Sequence, residues 1–411
     1  MSDSPVLNEL LHALMNPALK AIDLSLGRTQ RHLEALANPE SRIPPVVHVA
    51  GTNGKGSTIA FMRAALEAAG YRCHVYTSPH LVHLRERFVL AGQEASDALL
   101  LQRLQRVKDR TADYPLTYFE ALTVCAFELF AEHEADITLL EVGMGGRFDA
   151  TNVVTPLLSV ITPVGADHQA YLGDTVAKIA YEKAGVIKPG VACVMADQPE
   201  ADAAEVIMQV AKEQGSQILR PQAQAFENLS LAGEHQQANA ATALAALNYL
   251  KAHGFDRLED MEQSFSQARW PARLQQLTQG PLPEMLPPQA TLWLDSGHNG
   301  PAAQQLARWI QAQDMPLHLI FSMSQGHDVA EFLTPMLPYL ASCHVIEIPD
   351  EPLSQPLCAL DAAARGVCAS VQSHQNIEDA VRATVSRISG DYGIIITGSL
   401  YLAGKVLEKN S

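Results

Sequence analysis

The stretch PVVHVAGTNGKGSTIAFMRAALEAAG, residues 45–70, decides the fold. Its first six residues are apolar apart from His48 and read as a short buried strand. GTNGKGS follows at 51–57. Beyond it Ile59, Met62, Leu66 and Ala69 recur at helical spacing until Gly70 stops the helix. Strand, glycine-rich turn and helix in that order make a phosphate loop, because backbone N–H groups and the helix N-terminus face one anion. Lys55 supplies a point charge for the distal phosphates and Ser57 a hydroxyl near a metal ion. The spacing departs from G-x-x-x-x-G-K-[ST]: Val49 stands six before Lys55, and Gly56 separates Lys55 from Ser57. The plainer alternative is a tight glycine turn, but such a turn has no need of Lys-Gly-Ser at a helix start.

Outward from this stretch, strands and helices alternate. Residues 73–76, 137–142, 157–162 and 191–195 read as strands, and 176–184, 201–214, 236–253 and 257–267 as helices. Residues 278–289 (TQGPLPEMLPPQ) hold four prolines and a glycine and read as an interdomain linker. The alternation then restarts, with strands at 291–295, 317–321, 344–348 and 393–397 and helices at 302–313, 329–340, 377–388 and 400–408. The expected class is α/β, with parallel sheets covered on both faces.

The 411 residues suggest two or three domains at ~100–200 residues each. A formal charge of −16 repels phosphate backbones and anionic lipid, so nucleic acid and membrane are not expected partners. If the substrates are anions, the site must gather positive potential from Lys, Arg, helix N-termini or metal ions. Six cysteines without CxxC spacing indicate neither a zinc site nor a disulfide framework, and free thiols fit a cytoplasmic protein. The N-terminus lacks the pattern of a signal peptide, and no run approaches 18 apolar residues.

Further candidates each carry two readings. Glu141 ends an apolar strand before Gly143-Met144-Gly145-Gly146, where nucleotide enzymes hold magnesium, or simply meets water. Asp167-His168 follows the next strand: His168 ligates a metal or caps a loop. Lys183 sits in a last helical turn before Gly185, an ordinary place for a structural or solvated cation. Ser78 in YTSPHL reads first as a turn serine. Asp295 and His298 (DSGHN) reach a nucleotide or cap the next helix.

Taken together, the chain resembles the dihydrofolate synthase/folylpolyglutamate synthase family, relatives of the Mur ligases. Ten ordered motifs carry the resemblance over nearly the whole chain: HVAGTNGKGST (48–58), YTSPHL (76–81), TYFEALT (117–123), LEVGMGGRFDATN (140–152), DHQAYLGDT (167–175), IAYEKAGVIK (179–188), NAATALAAL (239–247), RWPARL (269–274), DSGHN (295–299) and TGSLYLAG (397–404). The resemblance implies a P-loop-type N-terminal ATPase domain with a parallel sheet, binding ATP and pterin (1–280), and a smaller Rossmann-like C-terminal glutamate ligase domain (281–411). Gly54, Lys55, Gly56 and Ser57 then match the ATP phosphate cradle, and Ser78, Glu141 and His168 the magnesium ligands. Lys183 matches a lysine carboxylated on its amine that helps hold a second magnesium ion. Asn239, Arg273 and Asp295 match nucleotide contacts. Thr117, Tyr118, Phe119 and Glu120, with Phe148, Asp149 and Ala150, match pterin contacts. His298 lies in a motif that approaches the phosphates.

The implied chemistry is ATP-dependent ligation of L-glutamate to dihydropteroate, or to the tail of reduced folates, through an acyl phosphate. Both GMGGRFDATN and the early segment IDLSLGR (22–28) look like the bifunctional type. Two departures stand out: Gly300 follows His-Asn where proline is usual, and His327 in SMSQGHD occupies a place where lysine is common. The alternatives are tail extension alone, a Mur-type ligase of another carboxylate, and a non-catalytic nucleotide switch. TYFEALT and YTSPHL stand against the Mur reading, and a second metal site stands against the switch. The resemblance suggests a monomer.

Overall fold

The computed structural model describes residues 5–14, 25–110, 116–348, 351–368, 370–386 and 390–410, so residues 22–24 of IDLSLGR lie outside the described part. The chain divides into two compact units, Met1–Ser230 with Gln237–Arg269, and Leu231–Gln236 with Trp270–Ser411.

The first unit is built on eight strands: β1 (Val46–Ala50), β2 (Cys73–Tyr76), β3 (Phe88–Leu90), β4 (Gln93–Glu94), β5 (Ile137–Glu141), β6 (Leu158–Ile161), β7 (Cys193–Met195) and β8 (Ile218–Leu219). Their order is β4-β3-β2-β5-β1-β6-β7-β8, parallel except for β3 and β4. Every residue of β1 and β5 is buried, as befits central parallel strands covered on both faces. Register does the rest. Val49 pairs with Glu141, Ala50 with Ile161, and Tyr76 with Leu140. The C-terminal ends of β1, β2, β5 and β6 therefore share one edge, where ligands of open α/β sheets bind.

Helices cover both faces of this sheet. Lys55–Ala68 buries Ile59, Phe61, Met62 and Leu66. Tyr118–Glu132 is buried along most of its length, its Phe127 and Phe130 entering a core with Leu100 and Leu104 of helix Asp97–Arg110. The expected helix over 257–267 is a 3-10 segment instead, Met261–Gln267, entered from Asp260 in a left-handed conformation.

The second unit contains β9 (Gln275–Leu277), β10 (Ala290–Leu294), β11 (Leu317–Phe321), β12 (Leu340–Ile346), β13 (Val371–His374) and β14 (Tyr392–Thr397), in the order β13-β12-β11-β14-β10-β9. All neighbours are parallel except β9 against β10. The stretch 278–289 is thus not a free linker. It joins two strands of one sheet and contains the short helix Pro281–Glu284, whose Leu282 N–H is bound by Asn410 at 3.1 Å. The division between the units falls earlier, between Arg269 and Trp270. The helix expected over 329–340 stops at Leu333, because Pro335 and Pro338 supply no N–H to continue it.

Among the described residues no helix is long and apolar enough to cross a membrane.

Candidate active site

The loop after β1 is anchored away from its open side. The N–H groups of Thr52 and Asn53 both donate to Pro163 O, at 2.9 and 3.3 Å, and the Thr52 hydroxyl bonds Gly165. Two glycines are obligatory. Gly51 has φ 151°, and a Cβ there would lie 1.8 Å from Thr162 Oγ1. Gly54 has φ 87°, and a Cβ there would lie 2.4 Å from Asn239 Oδ1. The helix starts at Lys55, so the N–H groups of its first turn have no intrahelical acceptor and form the anion-facing cradle. Asn239, expected at the nucleotide, backs this cradle directly.

Two amines converge on one carbonyl there. Lys55 Nζ donates to Gly51 O at 3.1 Å and Thr52 O at 3.2 Å, while Lys183 Nζ donates to Gly51 O at 2.9 Å. Lys183 is only 3% exposed, so the solvated helix-end reading does not hold. Burial, and then the positive charge of Lys55, lower its pKa from the usual lysine value to about 7. Glu141 is buried 4.0 Å from Lys55 and accepts the Ser78 N–H at 3.2 Å. Ser78, Glu141, Lys55 and Lys183 are therefore brought to one edge.

His168 is different. It is exposed, has φ 50°, and stands at the start of the short helix Gln169–Leu172 next to Asp167, with no cap bond from its side chain. Among the described residues no three His, Cys, Asp or Glu side chains group as a metal cage. The oxygen atoms of Ser78 and Glu141 suit a hard divalent cation.

Loop 143–152 is fastened to the helix of Lys183. A Cβ on Gly146 would lie 2.8 Å from Lys183 O, and one on Gly185 would lie 2.4 Å from Arg147 Cβ. Arg147 N–H donates to Glu182 O at 2.7 Å, and the Asn152 amide donates to Arg147 O and Gly185 O, both at 3.0 Å. Arg147 covers the rings of Phe148 and Tyr181. Asp149 is buried and accepts from Met144 N–H, Thr151 N–H and the Thr151 hydroxyl.

Thr117 and Glu120 form a capping box at the start of helix Tyr118–Glu132. The Glu120 carboxylate is already engaged by Thr117 N–H at 2.7 Å and by both arms of Arg28, at 2.9 and 3.2 Å. Phe119 lies over Gly143, where a Cβ would come within 2.4 Å of its ring. Tyr118 sits under Arg87, and burial raises its phenol pKa. Arg87 donates to His80 Nδ1 at 2.8 Å. The sequence motifs singled out neither Arg87 nor His80 as a site residue, although His80 lies within YTSPHL and Arg87 follows it closely.

In the second unit, Asp295 follows β10 and accepts from Leu274 N–H at 2.9 Å and Gly297 N–H at 2.7 Å. It thereby secures Leu274, while Ser296 holds the Ala272 carbonyl; the two residues, both at positive φ, lie on either side of Arg273. The helix cap is Asn299, not Asp295. The His298 ring bonds Ser296 O through Nδ1 at 3.0 Å, and the His327 ring meets it edge-on at 5.2 Å. At Gly300 a Cβ would lie 2.3 Å from Glu331 Oε1, the movable end of an exposed side chain, and Pro301 occupies the first helical turn. A cavity of about 620 Å³ near Arg220, Tyr249 and Asp260 contains none of these side chains and lies apart from the phosphate loop.

The model described as dihydrofolate synthetase, C-terminal domain, matches residues 284–409, and that of the Mur ligase middle domain matches 49–220. The dihydrofolate synthase/folylpolyglutamate synthase of Bacillus subtilis is 32% identical, over 93% of this chain and 94% of its own. The bifunctional folylpolyglutamate synthase/dihydrofolate synthase of Yersinia pestis, solved with AMPPNP and Mn ion, shares 30% identity at a TM-score of 0.85, covering 99% of this chain and 98% of that one. Escherichia coli FolC in complex with DHPP and ADP shares 28% identity at a TM-score of 0.86, covering 99% and 97%. With these likenesses spanning both units, the chain belongs to the dihydrofolate synthase/folylpolyglutamate synthase family of Mur-type ligases.

Proposed function

We propose that this protein joins L-glutamate both to 7,8-dihydropteroate and to the γ-glutamyl tail of reduced folates, consuming ATP and passing through an acyl phosphate. The observation that carries this reading is the meeting of Lys55 and Lys183 at the Gly51 carbonyl beside the phosphate loop, with the Glu141 carboxylate 4.0 Å from Lys55. Family membership supplies the reaction class.

The acceptor carboxylate attacks the γ-phosphorus of ATP, ADP leaves, and the carboxylate becomes an acyl phosphate. The glutamate amine attacks that carbonyl, loses a proton, and inorganic phosphate departs. Gly54, Gly56, Ser57 and Lys55 cradle the phosphates, and pre-aimed N–H groups need no rearrangement as charge moves. Ser78, Glu141 and His168 would hold magnesium, which supplies neutralisation of the phosphate charge that otherwise repels an incoming carboxylate. Lys183 is suited to carboxylation, since an amine with a pKa of about 7 is about half neutral near neutral pH. Adding CO2 to that amine releases one proton and leaves an oxygen anion fit for a second magnesium ion. Asn239, Arg273 and Asp295 serve the nucleotide, and His298 the transferring phosphate. Thr117, Tyr118, Phe119, Phe148, Asp149 and Ala150 form the pterin site, with Glu120 acting there through Thr117 and Arg28. The enzyme works as a cytoplasmic monomer on small molecules.

The test is glutamate-dependent ADP release with dihydropteroate and, separately, with tetrahydrofolate. Turnover with both is expected. Turnover with tetrahydrofolate alone reduces the activity to tail extension, and turnover with neither defeats the folate reading.

A further inference from the structure

We infer that His48 is a positioning residue for Asp149, acting through the Thr151 hydroxyl from the middle of the central strand. The inference rests on the proposal that Asp149 contacts the pterin.

His48 Nε2 lies 2.8 Å from Thr151 Oγ1, and Thr151 Oγ1 lies 2.5 Å from Asp149 Oδ1. The hydrogen count fixes the direction. A hydroxyl has one proton, and the contact to a carboxylate oxygen uses it. The contact to His48 therefore needs its proton from the imidazole, so His48 is the Nε2–H tautomer. Nδ1 is then a bare lone pair, in agreement with its burial without a partner. His48 is fully buried, and burial lowers its pKa to about 3, so the ring is neutral.

The relay decides what Asp149 offers a substrate. Oδ1 receives both its donors from Thr151, the N–H at 3.0 Å and the hydroxyl. Oδ2 receives the Met144 N–H at 2.9 Å. A Gly143 N–H also bears on the carboxylate, so its orientation towards an N–H of a 2-amino-4-oxopyrimidine edge is set by these donors together. Without the His48 donor, the Thr151 hydroxyl loses the contact that fixes its place, and the Asp149 carboxylate rests on backbone N–H groups alone. His48 pairs across the sheet with Leu140 and Ser159, where an aliphatic side chain would lie at no polar cost. That expense is understandable if the imidazole has a partner to hold.

The competing reading is a histidine satisfied in the core. Four variants of the full chain separate the two, each measured for the KM of dihydropteroate and of ATP. His48→Gln and Thr151→Ser keep a donor and a hydroxyl, and should leave both KM values within about twofold. His48→Met and Thr151→Val remove them, and should raise the dihydropteroate KM by about tenfold while sparing the ATP KM, as expected for a lost hydrogen bond to a charged group. Thr151→Val keeps the backbone cap, so it serves even if His48→Met fails to fold. An unchanged dihydropteroate KM in folded His48→Met or Thr151→Val overturns the relay. So does an equal rise in both KM values. Asp149→Asn distinguishes the failures: if it too leaves the dihydropteroate KM unchanged, the pterin reading of Asp149 falls with the relay. If it raises that KM while the relay variants are silent, only the relay falls.

Discussion

Lys55 and Lys183 aim their amines at the same oxygen, Gly51 O, from 3.1 and 2.9 Å. Burial, and then the repulsion of the Lys55 charge, lower the pKa of Lys183 to about 7. On the proposed reading, a lysine at an ordinary helix end thereby gains the neutral amine that takes up CO2.

This arrangement costs stability with a definite pH signature. Lys183 titrates near 7 when folded and near the usual lysine value when unfolded, so between those values the unfolded chain binds more protons. Wild-type stability should therefore rise with pH across that window, by up to about 1.4 kcal/mol per unit. In CO2-free buffer Lys183→Met should be more stable than wild type at pH 6, and the margin should shrink towards pH 10. Urea midpoints across this range check it, and a constant margin would contradict it.

Lys183→Ala should abolish turnover. Bicarbonate cannot restore it, because the amine that would be carboxylated is gone, whereas short carboxylic acids entering the vacated space should restore a part. Near-normal activity in the variant would rule out the carbamate role.

Gly146→Ala drives a methyl against the backbone of Glu182 and Lys183, which no side-chain rotation relieves. Overpacking of this kind costs about 1–3 kcal/mol. The expected result is a lowered thermal midpoint together with a disproportionate loss of kcat, since the helix of Lys183 must shift. Wild-type values of both would show that the loop is not tightly seated.

Arg28→Met removes both arms from Glu120, a buried carboxylate, and should cost about 2 kcal/mol. Because Glu120 also holds Thr117 at the helix start, the KM for dihydropteroate should rise more than that for ATP. Glu120→Gln in the same chain should recover much of the stability. A purely surface role for the pair predicts neither effect.

The sheet core was legible because its strands are short apolar runs and its loops carry glycine, and the same runs put Lys55, Glu141 and Ser78 at one edge by parallel register alone. Lys183 was not legible as a site residue from periodicity. Its helix-end position has an ordinary meaning, and only burial beside Gly51 removes that meaning. The proline-rich stretch misled, because Pro281 and Pro283 open a short helix between two paired strands rather than a tether. Glu120 stood in a matching motif, yet Arg28, 92 residues away in sequence, takes its carboxylate. Partners so distant leave no periodic trace. His48 was visible as a polar intrusion in an apolar strand, but the hydroxyl it meets lies 103 residues on.

The fastening of loop 143–152 to the Lys183 helix works as a fixed gauge. On the proposed reading, one end carries the ring contacts and the other the phosphorylating centre, joined through Arg147, Gly146 and Gly185 with no slack between them. A gauge of one length suits an acceptor whose carboxylate is a set distance from its ring. Each added glutamate lengthens the acceptor while the gauge stays the same. A growing tail must then be taken up by folding back or by withdrawing the ring from its pocket, so the ring contacts should matter progressively less as the tail lengthens.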